Sequence, residues 1–358
     1  MQPNRPGYLA NRASRIAHHE SRITNHASPT TRPLFDFAPL IQNISSMTDR
    51  WTGIFTIPQT PFDADGQVDE ESLRREVTFC IEAGAHGLVA PVVASEFYVL
   101  TDEERLRMPH VLVDEADGRV PVIVGVAGVS QVQAALFSRE ARRAGADGVI
   151  AMPPYVLKGD EEAIFDYYQT ISDAAALPVF IQNAPPPLGS SLSPAFMCRM
   201  CREIEHVRYV KEETLPTGHF ITAVLEEAGT DVHGVFGGAA ARWMLPELER
   251  GAAGFMPACQ FTDIYVQIWD LWQAGDKEAA RDLFDKLLPL INYEGMLSVS
   301  LVKEILVRRG VIETARIRRP DGASLDEHDI REMQRGLERL EPHFKGYPIQ
   351  TTDRQLVS

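Results

Sequence analysis

Lys211 lies in the run Tyr209-Val210-Lys211-Glu212-Glu213-Thr214, an amine with apolar neighbours on one side and two carboxylates on the other. Burial disfavours an ammonium, so a lysine in such a setting can be neutral near pH 7 and condense with a ketone to form a Schiff base. Taken alone, the same residue also reads as a solvated or paired cation at a strand end. Glu213 stands two residues further on, which along a strand is the same face. A carboxylate there can act as general base or acid if its surroundings raise its pKa toward neutrality, and pairing with a surface cation is the plainer alternative.

The other reactive residue types do not assemble into a motif. Cys198 and Cys201 form a lone CxxC within a helical pattern and read as two small apolar residues, not as a redox or metal pair. His219 and His233 are not spaced with acids as metal ligands would be, so no metal is expected. Neither a Gly-x-Gly-x-x-Gly after a strand nor a Walker loop occurs, which leaves nucleotide binding without support.

The elements that must position Lys211 follow from periodicity. Short apolar runs at 53–57, 87–91, 121–126, 148–152, 178–182, 207–212, 232–236 and 254–257 read as eight strands. Amphipathic stretches at about 69–83, 102–116, 130–144, 160–176, 193–204, 216–228, 239–250 and 260–274 read as the crossover helices between and after them. Val- and Ile-rich strands with both pleat faces apolar are those of a parallel sheet wrapped by helices. The pattern predicts an α/β fold, a (β/α)8 TIM barrel over 51–275, with Lys211 at the end of strand six. In such barrels the reactive groups sit at the C-terminal ends of the strands and on the loops after them. Thr101 three residues before Glu104, and Ser193 before Pro194, mark helix starts. Glycines at 84, 145, 229 and 251 fall where helices stop.

Further helical patterns at 276–291, 295–309 and 325–340 form a C-terminal helical extension over 276–341, with Arg318 to Gly322 as a surface connection and a loose tail over 342–358. Residues 1–46 carry five arginines against Glu20 and Asp36 and lack clean periodicity. They read as a disordered extension, or as the product of a start codon placed before a true beginning at Met47; a secretory signal does not fit.

The 358 residues carry 35 Lys and Arg against 50 Asp and Glu, a formal charge of −15. That balance repels a phosphate backbone and argues against a nucleic-acid partner. The longest apolar runs fall far short of a membrane span. Four scattered cysteines suit a reducing cytoplasm.

Several of these segments, taken together, resemble the dihydrodipicolinate synthase and N-acetylneuraminate lyase family over roughly residues 51 to 315. They are Gly53 to Phe62, Ser95 to Thr101 with the Asp-Glu-Glu-Arg that follows, Pro153-Pro154-Tyr155 and Val210-Lys211-Glu212, in the family's order and spacing. The resemblance implies a homotetrameric barrel that forms a Schiff base between Lys211 and a 2-keto acid without metal or organic cofactor.

The departures are equally informative. Where the family has a Gly-Ser/Thr-Thr-Gly-Glu loop, this chain has Val92-Val93-Ala94-Ser95-Glu96, and the expected carboxylate donors become the Ser95 hydroxyl and the backbone amides of Ala94 and Ser95, with Glu96 completing the loop. Gln182 replaces the family's strand-five tyrosine, and an amide orients a hydroxyl or a water but does not exchange a proton at neutral pH. The arginine of the synthases falls at Pro186 or Pro187, which argues against dihydrodipicolinate synthesis. Tyr155 is kept, but its tyrosine neighbour is Val156. Gly237 and Gly238 follow strand seven, where the family's turn lines the substrate pocket. Gln182 with Lys211-Glu212-Glu213 looks like the sugar-acid dehydratase branch, similar to L-2-keto-3-deoxyarabonate dehydratase. The implied reaction is dehydration of a 2-keto-3-deoxy sugar acid. The alternatives are retro-aldol cleavage of a similar 2-keto acid to pyruvate, and a barrel that binds a keto acid without turning it over.

Overall fold

The computed structural model describes residues 50–319 and 323–350, so the arginine-bearing segment 1–46 lies outside the described residues. Eight parallel strands close in sequence order: β1 Gly53–Thr56, β2 Gly87–Ala90, β3 Val122–Gly125, β4 Gly148–Ala151, β5 Val179–Asn183, β6 Val207–Glu212, β7 Gly234–Gly237 and β8 Gly254–Phe255. Crossover helices follow each strand: α1 Glu70–Glu82, α2 Asp102–Ala116, α3 Gln131–Ala144, α4 Glu161–Ala175, α5 Pro194–Glu203, α6 Thr217–Ala228, α7 Met244–Leu248 and α8 Thr262–Gln273. This is the (β/α)8 barrel that the alternating pattern predicts. The cap residues act as expected: Thr101 accepts from the Glu104 amide while Glu104 accepts from the Thr101 amide, and Ser193 accepts from the Phe196 amide.

The helix expected over 239–250 is cut to α7, five residues long. The cause lies just before it, where Ala239, Ala240 and Ala241 all take left-handed backbone angles, with φ of 49°, 57° and 53°. An L-residue in that region costs roughly 1–2 kcal/mol, so three in succession mark a turn that its surroundings impose.

Inward-facing residues fill the barrel beneath its C-terminal mouth. Phe180 and Tyr209 stack at 4.5 Å between ring centroids, Trp51 stacks on Tyr209 at 5.1 Å, and Phe236 meets Phe55 edge-on at 5.3 Å. Ile57, Val89, Val92, Ile123, Ile150 and Met256 pack in the same cluster. Continuing the two-residue period past Phe180 and Tyr209 brings Gln182 and Lys211 to the next level, and the β5–β6 register pairs them side by side. The barrel's hydrophobic plug is therefore the floor under Lys211.

The extension comprises α9 Lys277–Leu297, α10 Val299–Arg308 and α11 Glu327–Leu340. Two buried ion pairs fasten it to the barrel: Arg309 Nη2 to Asp263 Oδ2 at 2.7 Å and Lys303 Nζ to Glu96 Oε2 at 2.6 Å. Of the connection expected over 318–322, residues 320–322 lie outside the described residues, and Arg318 is tied to the barrel. Its guanidinium reaches both Glu104 oxygens, at 2.7 and 2.8 Å, and the Gly66 carbonyl, so the segment straps the loops after β1 and β2. The described part of the tail is not loose. Arg309 donates to the Tyr347 carbonyl, the Lys345 amide donates to Asp263, and Tyr347 packs edge-on against Phe79. Residues 351–358 lie outside the described residues. Cys198 and Cys201 both point into the core, where burial pushes their thiols up to about 11 and about 12. No helix among the described residues is long and apolar enough to cross a membrane.

Candidate active site

Lys211 is the fifth residue of β6 and only 3% exposed. Its Nζ lies 3.3 Å from Glu213 Oε1. Period-two alternation brings the two side chains to one side and sends Glu212 to the other. There Asn183 Nδ2 donates to Glu212 Oε2 at 2.8 Å and the Thr214 amide donates to Oε1 at 2.6 Å. Glu212 is thus a buried brace between β5 and β6, and burial pushes its carboxyl up to about 7.

Glu213 gathers three donors. Gln182 Nε2 donates to Oε2 at 2.7 Å, the Ala239 amide donates to Oε1 at 3.0 Å, and Lys211 approaches the same oxygen. Burial by itself would raise this carboxyl, but the charge of Lys211 and the bonds from Gln182 and Ala239 outweigh it, and the net shift is downward. This corrects the expectation of a Glu213 pKa raised toward neutrality: the group is a carboxylate held by an ion pair, with 16% of its side chain open to solvent.

Gln182 sits where the resemblance leads one to expect a tyrosine, and the structure gives it a definite task. Its amide NH₂ is committed to Glu213, which fixes the orientation of the side chain and leaves its carbonyl oxygen as an acceptor at the mouth of the barrel.

Gly237 and Gly238 earn their place by absence of a side chain. A Cβ on Gly238 would fall 2.3 Å from Glu213 Cγ and 2.5 Å from its Oε1; one on Gly237 would fall 2.1 Å from Glu247 Oε2. The described contacts make these glycines seats for two glutamates, a role that the expectation of substrate contact did not include. Glu247, on α7, accepts from the Thr217 hydroxyl and is pushed up to about 7 by burial, with Glu213 adding to the rise.

The loop after β2 differs from expectation. Ser95 is fully buried; its hydroxyl donates to the Pro58 carbonyl at 2.7 Å and its amide to the Val92 carbonyl at 2.9 Å. Both Ser95 donors assigned to a substrate carboxylate are therefore used to fold the loop. Glu96, also fully buried, takes Lys303 on Oε2 and the Arg318 and Arg319 amides on Oε1. It holds the extension and has no oxygen left for a ligand. Ala94 is half-buried on the same turn and is the member of the trio that remains open.

Tyr155 follows β4 and packs edge-on against Phe97, ring centroids 5.5 Å apart. Burial raises its phenol despite the lowering effect of Arg105. It makes no hydrogen bond to Lys211, Glu213 or Gln182 among the described residues. Arg105 itself was not singled out from sequence. It is buried, donates to the Ala127 and Gly125 carbonyls and lies 3.8 Å over the Phe137 ring, bracing the end of β3. The Ala239 amide was also missed, since nothing in an Ala-Ala-Ala run signals a left-handed turn. No group of three or more His, Cys, Asp or Glu among the described residues is arranged to hold a metal ion.

Known proteins share this arrangement of elements. The sequence profile of the Dihydrodipicolinate synthetase family matches residues 50–339. The chain is 37% identical over 280 residues to L-2-keto-3-deoxyarabonate dehydratase of Azospirillum brasilense, covering 77% of this chain and 90% of the relative. It is 29% identical over 243 residues to a probable 2-dehydro-3-deoxy-D-pentonate aldolase of Escherichia coli, covering 67% and 81%. Among solved structures, dihydrodipicolinate synthase from Rhodopseudomonas palustris superposes with a TM-score of 0.75 at 29% identity, over 81% of this chain and 98% of that one.

Proposed function

This chain belongs to the Dihydrodipicolinate synthetase family, and from that premise we propose that it is a Schiff-base-forming lyase that dehydrates a 2-keto-3-deoxy sugar acid through Lys211. The observation that carries this reading is the Lys211–Glu213 pair at 3.3 Å, with Gln182 and not a phenol on the second carboxylate oxygen.

A proton passed from Lys211 to Glu213 frees the amine, which adds to C2 of the keto acid. The same proton returned to the carbinolamine hydroxyl lets it leave as water, and Glu213 is again a carboxylate. The iminium acidifies C3, Glu213 takes a C3 proton, and an enamine forms. The enamine electrons expel the C4 hydroxyl, which leaves as water with the proton held on Glu213. Hydrolysis of the remaining conjugated imine releases the product and restores the amine. One carboxylate thus acts in turn as base and acid; its bonds to Lys211, Gln182 and Ala239 keep it ionised in the free enzyme, so the cycle starts from the base form. Gln182 keeps that carboxylate in place and offers its carbonyl oxygen to a substrate hydroxyl or a water. The Ala94 backbone receives the substrate carboxylate, and Tyr155 lines the wall with Phe97. The family resemblance supports a homotetramer working without a cofactor in the cytoplasm, and the exposed Val132, Val156 and Leu157 supply apolar surface for such an assembly.

The Azospirillum relative supports dehydration, and the Escherichia coli relative supports a second reading, cleavage of the C3–C4 bond to give pyruvate. Product analysis on 2-keto-3-deoxy aldonates separates them. Dehydration leaves the carbon skeleton whole and gives no signal with lactate dehydrogenase, whereas cleavage gives stoichiometric pyruvate. Binding over hours without any product would indicate a non-catalytic barrel.

A further inference from the structure

We infer that the turn Gly238–Ala241 is a positioning device for Glu213, holding the carboxylate against Lys211 with one backbone amide and a deliberately empty side-chain position. The inference rests on the Lys211–Glu213 reading above and adds Ala240, Ala241 and Tyr265, which no other observation assigns to the reaction.

Three features of the turn converge on one carboxylate. At Gly238 what demands glycine is space, because Glu213 Cγ, Oε1 and Cδ would all lie within 2.6 Å of an added Cβ. The next residue aims its amide at Glu213 Oε1, 3.0 Å away. That aim depends on the left-handed angles of Ala239, Ala240 and Ala241, which a relaxed helix start would not reproduce. The turn is pinned from behind by Tyr265, a fully buried residue of α8 whose hydroxyl donates to the Ala240 carbonyl at 2.9 Å. A backbone donor cannot swing away as a side chain can, so the oxygen that faces Lys211 stays where the amine needs it.

The titratable groups around Glu213 are Lys211 and Glu212 on β6 and Glu247 on α7, and neither glutamate donates a hydrogen bond to it among the described contacts. Removing the Ala239 amide therefore subtracts one of three interactions that favour the charged carboxylate, and its pKa must rise.

Two variants test this, Gly238→Ala and Tyr265→Phe, each read by kcat, by the acid limb of the kcat/KM pH profile and by borohydride trapping of the imine. Gly238→Ala displaces Glu213 directly. Tyr265→Phe loosens the turn without touching the site, and keeps the test open should the first variant not fold. The expected result is a fall in kcat of roughly tenfold or more for Gly238→Ala, a smaller fall for Tyr265→Phe, an acid limb moved to higher pH in both, and lysine trapping retained. A turn with a merely structural role would lower Tm and activity and leave the acid limb where it is in the wild type. An unmoved limb in a folded variant overturns the inference. Failure to trap any lysine in the wild type would instead overturn the underlying Schiff-base reading.

Discussion

Gln182 Nε2 donates to Glu213 Oε2 at 2.7 Å, and Lys211 Nζ stands 3.3 Å from the other oxygen of the same carboxylate. Neighbouring strands thus contribute an amide and an amine to one acid, at a level where the β5–β6 register places Gln182 beside Lys211. The amide cannot shuttle a proton, so proton transfer in the site falls to Glu213.

Glu213→Gln separates the two halves of the reaction. Imine formation, read by borohydride trapping after long incubation, should slow but still reach the adduct, because water can carry the proton between Lys211 and the carbinolamine, while elimination should fall by about 10²- to 10⁴-fold, the usual range for loss of a general base. Full turnover in this variant would remove Glu213 from the mechanism.

Gln182→Leu removes the bond to Oε2 while keeping similar bulk. A hydrogen bond to a charged group is worth about 1.5–3 kcal/mol, so the acid limb of kcat/KM should move up by about one to two pH units, with a fall in kcat. The sign follows from the pairing: a bond lost from the charged form lets its pKa rise. A pH profile superimposable on the wild type would show that Gln182 does not act on Glu213.

The parts of this site that follow from local rules were legible in the residues. Lys211 and Glu213 share a face because a strand alternates, and eight apolar runs between amphipathic stretches place that face at a barrel mouth. What was not legible depends on distant partners. Ser95 reads as a free hydroxyl until folding brings the Pro58 carbonyl to it. Glu96 reads as a loop carboxylate until Lys303 arrives from the extension, far along the chain. The Ala239 turn is hidden for a different reason: alanine has no preference for left-handed angles, and only the surrounding contacts with Glu213 and Tyr265 impose them.

Stability should fall as pH rises from about 4.5 to about 7. Glu76, Glu212, Glu247 and Glu294 are each pushed up to about 7 by burial, from 4.5 in an open chain. Between those values the folded state binds more protons than the unfolded state, so raising the pH favours unfolding, with the full penalty present above about 7. Glu247→Gln keeps the shape and deletes one titration. At pH 8 it should be more stable than the wild type by on the order of 1–3 kcal/mol, the difference shrinking toward pH 5. Thermal melts of both proteins across this range check it; a Glu247→Gln advantage that does not vary with pH would contradict it.

Lys303→Met leaves the fully buried Glu96 without its cation and should cost about 3–5 kcal/mol, seen as a large drop in Tm. Burial lowers the Lys303 pKa even with Glu96 alongside. The double variant Glu96→Gln with Lys303→Met should recover part of the loss, because no unpaired charge remains. A single variant as stable as the wild type would show that the extension is held elsewhere.

The central claim is that the Lys211 amine traps the carbonyl carbon of a 2-keto acid. Incubation with pyruvate or a 2-keto-3-deoxy aldonate, reduction with sodium borohydride and peptide mass spectrometry measure this directly. The account predicts a reduced adduct on the peptide carrying Lys211, lost in Lys211→Ala and kept in Glu213→Gln. No adduct, or an adduct on another lysine that survives Lys211→Ala, would contradict it.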